Sequence, residues 1–123
     1  MLTDGKPVKV VLSELFLKDI KDLAKSYRSV RKDILPLIDR LSDGEIIGDR
    51  LKGFDYQVYK VRVKNSDNRK GTSGGYRVIY YIKTTDYIVL SNIYSKSDYE
   101  SIDDSLIEKS IQQYLANNLQ KQF

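Results

Sequence analysis

The sequence predicts an α+β fold: a small antiparallel sheet with a helical hairpin near the N-terminus and a helix at the C-terminus. In the first part of the chain, and again near its end, apolar residues recur at helical spacing. Between these segments, three runs rich in β-branched and aromatic residues are separated by short turns, which is typical of antiparallel strands. With 123 residues the chain has room for one core, so we expect a single domain over residues 1–123.

The first predicted elements are a short strand and a helix. Val8, Val10 and Leu12 alternate along the chain, as the side chains on one face of a strand do. A helix is then expected to begin at Ser13 or Glu14. Its apolar stripe consists of Phe16, Ile20, Leu23, Ala24 and Tyr27.

A second helix is predicted to complete the hairpin. Its stripe consists of Val30, Ile34, Leu37, Ile38 and Leu41, and Gly44 is placed as its C-terminal stop. Pro36 lies within this stripe, and a proline is tolerated in the first turn of a helix but disrupts its interior. The helix is therefore expected either to begin near Asp33 or to be kinked at Pro36.

Three strands and a last helix form the rest of the predicted fold. The strands are expected over Val58–Lys64, Tyr76–Lys83 and Tyr87–Ser95. From about Asp104 helical spacing returns, with apolar residues at Leu106, Ile107, Ile111, Leu115 and Leu119. The resulting order is β-α-α-β-β-β-α, with the helices packed on one side of the sheet.

The stretch GTSGG at residues 71–75 matches the G-x-S-x-G pattern of serine hydrolases. That pattern requires a following helix and a histidine base, whereas here a strand follows and the sequence contains no histidine. Ser73 is therefore not expected to be a nucleophile. We interpret Gly71, Gly74 and Gly75 as positive-φ residues of a long hairpin turn.

The composition excludes several classes of protein. Without cysteine and histidine the chain has no disulfides, no usual zinc site and no thiol or imidazole catalysis. We expect no metal and no cofactor. The sequence has neither an apolar run long enough to span a membrane nor a signal peptide, which predicts a soluble cytoplasmic protein.

Positive charge is concentrated in one segment. Residues 49–83 carry nine Lys and Arg against three acidic residues, whereas the rest of the chain carries twelve against fourteen. A basic segment in a nearly neutral body favours a polyanionic partner, and a solvated charged hairpin is the alternative.

Strand alternation predicts where this charge lies. Lys60, Arg62 and Lys64 share one face of their strand, and Arg77 and Tyr81 belong to the corresponding face of the next. If the apolar residues on the opposite faces pack against the helices, the cations and the tyrosine meet on an uncovered face. Such a surface suits phosphates and a stacked base.

Four motifs give the sequence a resemblance to a known family. They are LKG at 51–53, VYKVRV at 58–63, SGGYRVIYYI at 73–82 and IYSKSD at 93–98. With this element order, the chain resembles the RelE-like toxins of the RelE/ParE superfamily, found in bacterial type II toxin–antitoxin systems. The resemblance implies a RelE-like fold and a metal-independent endoribonuclease that enters the ribosomal A site, cuts mRNA and inhibits translation. It also implies a cognate antitoxin that holds the toxin inactive.

The resemblance assigns catalytic positions to Lys60, Arg62, Arg77 and Lys96. Cleavage by the 2′-hydroxyl of the RNA needs a base, stabilisation of the phosphorane charge and help for the leaving oxygen. We assign the first role to Lys60, the second to Arg62 and Arg77 through their planar N–H forks, and the third to Lys96.

Further residues are expected to contact RNA. The family's tyrosine has no secure match in this chain, so Tyr81, Tyr94 and Tyr99 are all candidates for stacking on a base. The loop Asn65–Gly75 is longer than the tight turn of the best-known members, and its Arg69 and Lys70 are candidate RNA or ribosome contacts. Lys52 and Lys64 complete the predicted RNA-binding set.

Two other functions stay open at this stage. Toxins of the ParE type share this fold but bind and poison DNA gyrase, and they typically lack the clustered basic residues on the open face. The presence of Lys60, Arg62 and Arg77 argues against that alternative. A non-catalytic RNA-binding relative would keep the basic residues without turnover.

Overall fold

The computed structural model describes residues 8–68 and 74–122, with side chains in the last helix up to residue 117. The elements are β1 (Lys9–Leu12), α1 (Glu14–Leu23), α2 (Val30–Ser42), β2 (Asp49–Leu51), β3 (Gln57–Val63), β4 (Tyr76–Thr84), β5 (Tyr87–Ser95) and α3 (Asp104–Gln122). The predicted α+β fold, with an N-terminal helical hairpin and a C-terminal helix, is confirmed.

The described strands form one sheet in the order β1-β5-β4-β3-β2. β2 to β5 are joined as antiparallel neighbours, whereas β1 runs parallel to β5 and pairs Lys9 with Tyr87. The sequence analysis missed β2. This strand has only three residues and two of them are exposed, so it carries no alternating pattern that periodicity can detect.

Helices α1 and α2 pack against one face of the sheet. Helix α1 begins at Glu14, one of the two predicted starts, and Ser13 caps it, because its hydroxyl accepts the N–H of Phe16 at 3.1 Å. The core between the layers contains Phe16, Val30 and Leu41 from the helical side and Tyr80 and Leu90 from the sheet. The predicted inward residues of β3 and β4 belong to this core, which confirms the assigned faces: Tyr59, Val61, Val63, Val78, Tyr80 and Ile82.

The structure excludes the first of the two alternatives predicted for α2. The helix begins at Val30 rather than near Asp33, and Pro36 lies beyond its first turn. Long-range hydrogen bonds hold this end of the helix in place. The Asp33 carboxylate accepts the N–H and hydroxyl of Ser66, and the Asp67 carboxylate accepts the N–H and hydroxyl of Ser29. Such contacts between distant segments outweigh the local preference of proline.

Helix α3 packs against the opposite face of the sheet, so the prediction that all helices lie on one side is wrong. Ile107 and Ile111 contact a second apolar cluster that includes Val58, Ile79 and Tyr81. Farther along the helix, the hydroxyls of Tyr114 and Tyr87 share a hydrogen bond, and the Lys83 ammonium lies 5.7 and 5.3 Å from the centres of these two rings. The face that was expected to be open is therefore covered over much of its area.

The glycine positions correct one interpretation and confirm another. Gly44, just after α2, has a φ of 92° and is the predicted stop. Gly75 does not have a positive φ. A Cβ at this position would lie 2.1 Å from the carbonyl oxygen of Val63, so Gly75 is required by the close approach of two backbones. Gly71 and Ser73 lie outside the described residues.

Candidate functional site

The cations of β3 and β4 come together at one end of the sheet, as the alternation predicted. The strand register places Arg62 directly opposite Arg77, and Lys60 opposite Ile79. Lys64 follows Arg62 in the chain and is exposed. Two guanidinium groups on directly opposed residues of one sheet face repel each other, which favours an anion or an acidic group beside them.

The members of this pair differ in their access to solvent. Arg62 is exposed, whereas Arg77 is only 6% exposed. The Arg77 guanidinium donates a hydrogen bond to the carbonyl of Tyr76 at 3.2 Å. Arg77 therefore reaches solvent through a small part of its surface, and Arg62 is the member of the pair that presents a fork to a partner.

Lys60 has an acidic neighbour that the sequence analysis did not consider. Asp49 on β2 is paired directly with Lys60, and directly opposed residues of neighbouring strands place their side chains on the same sheet face. Lys60 is half-buried and Asp49 is exposed. A partner that approaches Lys60 thus meets a carboxylate as well as an ammonium group.

Lys96 is engaged within the chain. Its backbone N–H donates to the carbonyl of Gly75, which brings the residue beside the start of β4. Its ammonium group donates to the backbone carbonyl of Glu100 at 2.6 Å and to the carboxylate of Glu100 at 3.0 Å. The predicted assistance to a leaving oxygen would require this ion pair to open.

The tyrosines predicted to stack on RNA occupy different environments. Tyr81 is fully buried beneath α3, where it contacts Tyr56 and Tyr114, and its burial raises its pKa. Tyr94, paired with Arg77, is also buried; its burial raises its pKa more than the Arg77 charge lowers it. The exposure expected for these two side chains is therefore wrong. Tyr99 is 61% exposed and is the tyrosine of the three with a free ring.

The remaining predicted RNA contacts do not form one patch. Lys52 follows β2 at the end of the sheet where Leu51 pairs with Val58, away from Arg62 and Lys64. Arg69 and Lys70 lie outside the described residues. The structure therefore groups Lys60, Arg62, Arg77 and Lys64, places Lys96 beside them, and separates Lys52 from them.

A half-buried carboxylate near this end of the sheet was not found by sequence analysis. Asp19 on α1 accepts the backbone N–H of Ile93 at 3.3 Å, where β5 extends beyond β1. Burial, together with the charge of Asp22, raises the pKa of Asp19 to about 6, against the opposing effect of the hydrogen bond from Ile93. Nothing in the helical pattern marks Asp19, because the largest effect on its pKa is burial, which follows from the packing of α1 beside β5.

We expect Asp19→Asn to raise the melting temperature at pH 7.5 and to have a smaller effect at pH 5. The pKa of Asp19 is higher in the folded state than its ordinary value of 3.8. Ionised Asp19 therefore costs stability above pH 6, and this cost is relieved as the pH falls from 6 towards 4. Asp39→Asn, at an exposed position of α2, is the matched control and should show no such difference. An equal rise in the melting temperature of Asp19→Asn at both pH values would contradict the raised pKa of Asp19.

Two classes of feature are absent from the part of the chain that the structure describes. No helix there combines the length and the apolar character needed to cross a membrane. Nor do three or more acidic side chains meet there in an arrangement suited to holding a metal ion, and the sequence supplies no histidine or cysteine.

Comparison with protein families identifies the chain. Residues 10–100 match the family model described as the ParE toxin of the type II toxin–antitoxin system, parDE. The match runs from β1 to the segment before α3 and includes every strand and the grouped cations. Comparisons with curated proteins and with solved structures found no match. The resemblance to the RelE/ParE superfamily is thus confirmed, and the chain belongs to the ParE toxin family of type II toxin–antitoxin systems.

Proposed function

We propose that this toxin acts by binding and poisoning DNA gyrase, as toxins of the ParE type do, rather than by cutting mRNA. Membership of a type II toxin–antitoxin family gives the chain a cognate antitoxin as its partner. Its match to the ParE family supports a protein target over a ribosomal one.

The observation that carries this proposal is the state of the predicted catalytic residues. RNA cleavage needs donors aimed at the phosphate where charge develops, in a site from which they can reach it. Arg77 is mostly buried, and the ammonium group of Lys96 is bonded to Glu100. In addition, α3 covers the sheet face on which Tyr81 was expected to hold a base. This arrangement is better suited to a fixed protein-binding surface than to cleavage of an RNA phosphodiester.

A ribonuclease is the second candidate, favoured by one observation. Arg62 and Arg77 are directly opposed, Lys60 lies on the same strand as Arg62, and Lys64 directly follows that strand. An RNA phosphate bound between the guanidiniums would relieve their repulsion. If the protein is a ribonuclease, a conformational change must expose Arg77 and release Lys96 from Glu100. Only then can the 2′-hydroxyl of the RNA attack the phosphate.

Pulse labelling in cells that express the toxin alone tests the proposal. We expect incorporation of labelled thymidine to stop before incorporation of labelled amino acids, with mRNA intact by primer extension. Purified toxin should also trap gyrase on cleaved DNA. An early loss of protein synthesis accompanied by cut mRNA would favour the ribonuclease instead.

An arginine variant sharpens this test. Arg62→Ala removes the exposed guanidinium, and Arg31→Ala on α2 removes an exposed guanidinium elsewhere as a matched control. For a ribonuclease, losing a charge-stabilising donor slows cleavage on the order of a hundredfold. We expect both variants to arrest growth, and an arrest lost only with Arg62→Ala would contradict the gyrase proposal.

A further inference from the structure

A groove of about 350 Å³ lies between α1, the end of β5 and α3. Its apolar lining consists of Leu15, Leu23, Ile93, Ile102 and Leu106, and Tyr99 lies at its rim. Leu106 is 46% exposed and Tyr99 61% exposed, so large apolar side chains face solvent on one side of this groove. A concentration of exposed apolar surface in a concave site is a mark of an interaction surface.

The floor of the groove is the part of β5 that pairs with β4 on one edge and has no described strand on the other. β1 pairs with β5 only from Tyr87 to Leu90, and the chain then turns at Ser13 into α1. After Leu90 of β5, α1 occupies the place beside this strand that β1 occupies before it. The Asp19 carboxylate accepts a hydrogen bond from the N–H of Ile93 there. The groove is thus built from a helix wall on each side and a strand edge between them.

One wall of the groove is acidic although the whole chain is basic. Asp19 and Asp22 both line it, while the formal net charge of the chain is +4. Among the described residues no Lys or Arg lies within salt-bridge distance of Asp19, and the ion pair of Asp22 is an exposed one with Lys25 at 3.7 Å. The raised pKa of Asp19 agrees with a half-buried carboxylate that forms no salt bridge among the described residues, since burial outweighs the opposing charge of Lys18.

We propose that this groove is the docking surface for the cognate antitoxin, which lays an amphipathic segment along it. Apolar side chains of that segment pack on Ile102 and Leu106, and a Lys or Arg pairs with Asp19 and Asp22. The apolar lining and the acidic wall, where Asp19 has no salt bridge among the described residues, are complementary to these two features together. The proposal rests on the toxin–antitoxin family and is independent of whether the toxin acts on gyrase or RNA.

The test measures binding between purified toxin variants and the antitoxin by calorimetry. The probe is the product of the adjacent reading frame that restores growth to toxin-expressing cells. Leu106→Glu and Asp22→Lys alter the groove, and both positions are exposed enough to leave the fold unchanged. Leu17→Glu and Asp39→Lys are the matched controls, because Leu17 is 50% exposed, Asp39 is exposed, and neither lines the groove.

We expect each groove variant to weaken binding about tenfold or more, which corresponds to about 1.4 kcal/mol, because each removes a contact at the centre of the proposed interface; each control should change binding less than about twofold. A Lys→Glu or Arg→Glu change in the antitoxin should restore its binding to Asp22→Lys. Circular dichroism checks folding, and Tyr99→Ala replaces Leu106→Glu if that variant does not fold.

Three outcomes would overturn the proposal. Unchanged antitoxin affinity in both groove variants would place the antitoxin elsewhere. A loss of binding to purified gyrase, with antitoxin affinity intact, would assign the groove to the target. If the groove variants differ from the unmodified toxin in oligomeric state in the absence of the antitoxin, the groove is instead the contact with a second copy of this chain. Because binding is measured on purified proteins, none of these results depends on how the toxin arrests growth.

Discussion

Replacing Gly75 by alanine is expected to lower the free energy of unfolding by about 3 kcal/mol or more. The added Cβ would lie 2.1 Å from the carbonyl oxygen of Val63 and 3.2 Å from the backbone nitrogen of Asn65. Backbone atoms cannot move aside as a flexible side chain does, and Val63 is held in the sheet by its pairing with Tyr76. The variant must therefore separate β3 from β4 at the end where the cations meet.

Gly53→Ala is the matched control for this prediction. Gly53 has a φ of 93°, but a Cβ there would have no atom within 4 Å. The Gly53→Ala substitution should therefore lower the free energy of unfolding only by the backbone strain of a left-handed residue, roughly 1–2 kcal/mol. Urea denaturation followed by circular dichroism measures both values, and equal losses in the two variants would show that close approach is not the reason for Gly75.

Replacing Ile111 by aspartate is expected to detach α3 from the sheet. Ile111 is 1% exposed and lies in the cluster with Val58 and Tyr81, so the new carboxylate would be buried without a partner. A buried charge costs several kcal/mol, and α3 can avoid that cost by leaving the sheet. Because the α1 and α2 core lies on the opposite face, we expect it to survive.

Hydrogen exchange and limited proteolysis test this detachment. Protection should be lost in α3 and retained in α1, and a protease should remove the C-terminal segment. Leu106→Asp, on the same helix but 46% exposed, should resist the protease as the unmodified protein does. Loss of protection in α1 as well would show that the two faces unfold as one cooperative unit.

Much of the sheet could be predicted because alternation in a strand is a local property. The opposite faces of Lys60 and Val61, and of Arg77 and Val78, follow from their positions alone. The same segment of the sequence also indicates burial on both faces. Tyr76 to Ile82 is apolar at every position except Arg77, which is typical of a strand buried on both faces. The second apolar face of this strand indicates a packing surface for the apolar stripe of α3.

The candidate site was harder to predict because its chemistry depends on packing. Sequence placed Arg62 and Arg77 on one face, but the burial of Arg77 follows from its place in a central strand. The hydrogen bond between Asp19 and Ile93 joins residues 74 positions apart, and the one between Asp33 and Ser66 spans 33. No local pattern encodes such pairs, so the groove was not predicted and the start of α2 stayed open between two alternatives.

The parallel pairing of β1 with β5 has a consequence for when the toxin can form. Ser13 and Ser91, joined by a hydrogen bond at the end of this pair, are 78 residues apart. A growing chain cannot place β1 in the sheet until β5 has left the ribosome, and contacts of such long range form slowly. The groove between α1, β5 and α3 needs this pairing and also α3, which follows β5 in the chain. Nascent chains that have not yet released β5, which ends at Ser95, therefore present neither a finished sheet nor a finished groove, and the proposed antitoxin surface forms only after the sheet is complete.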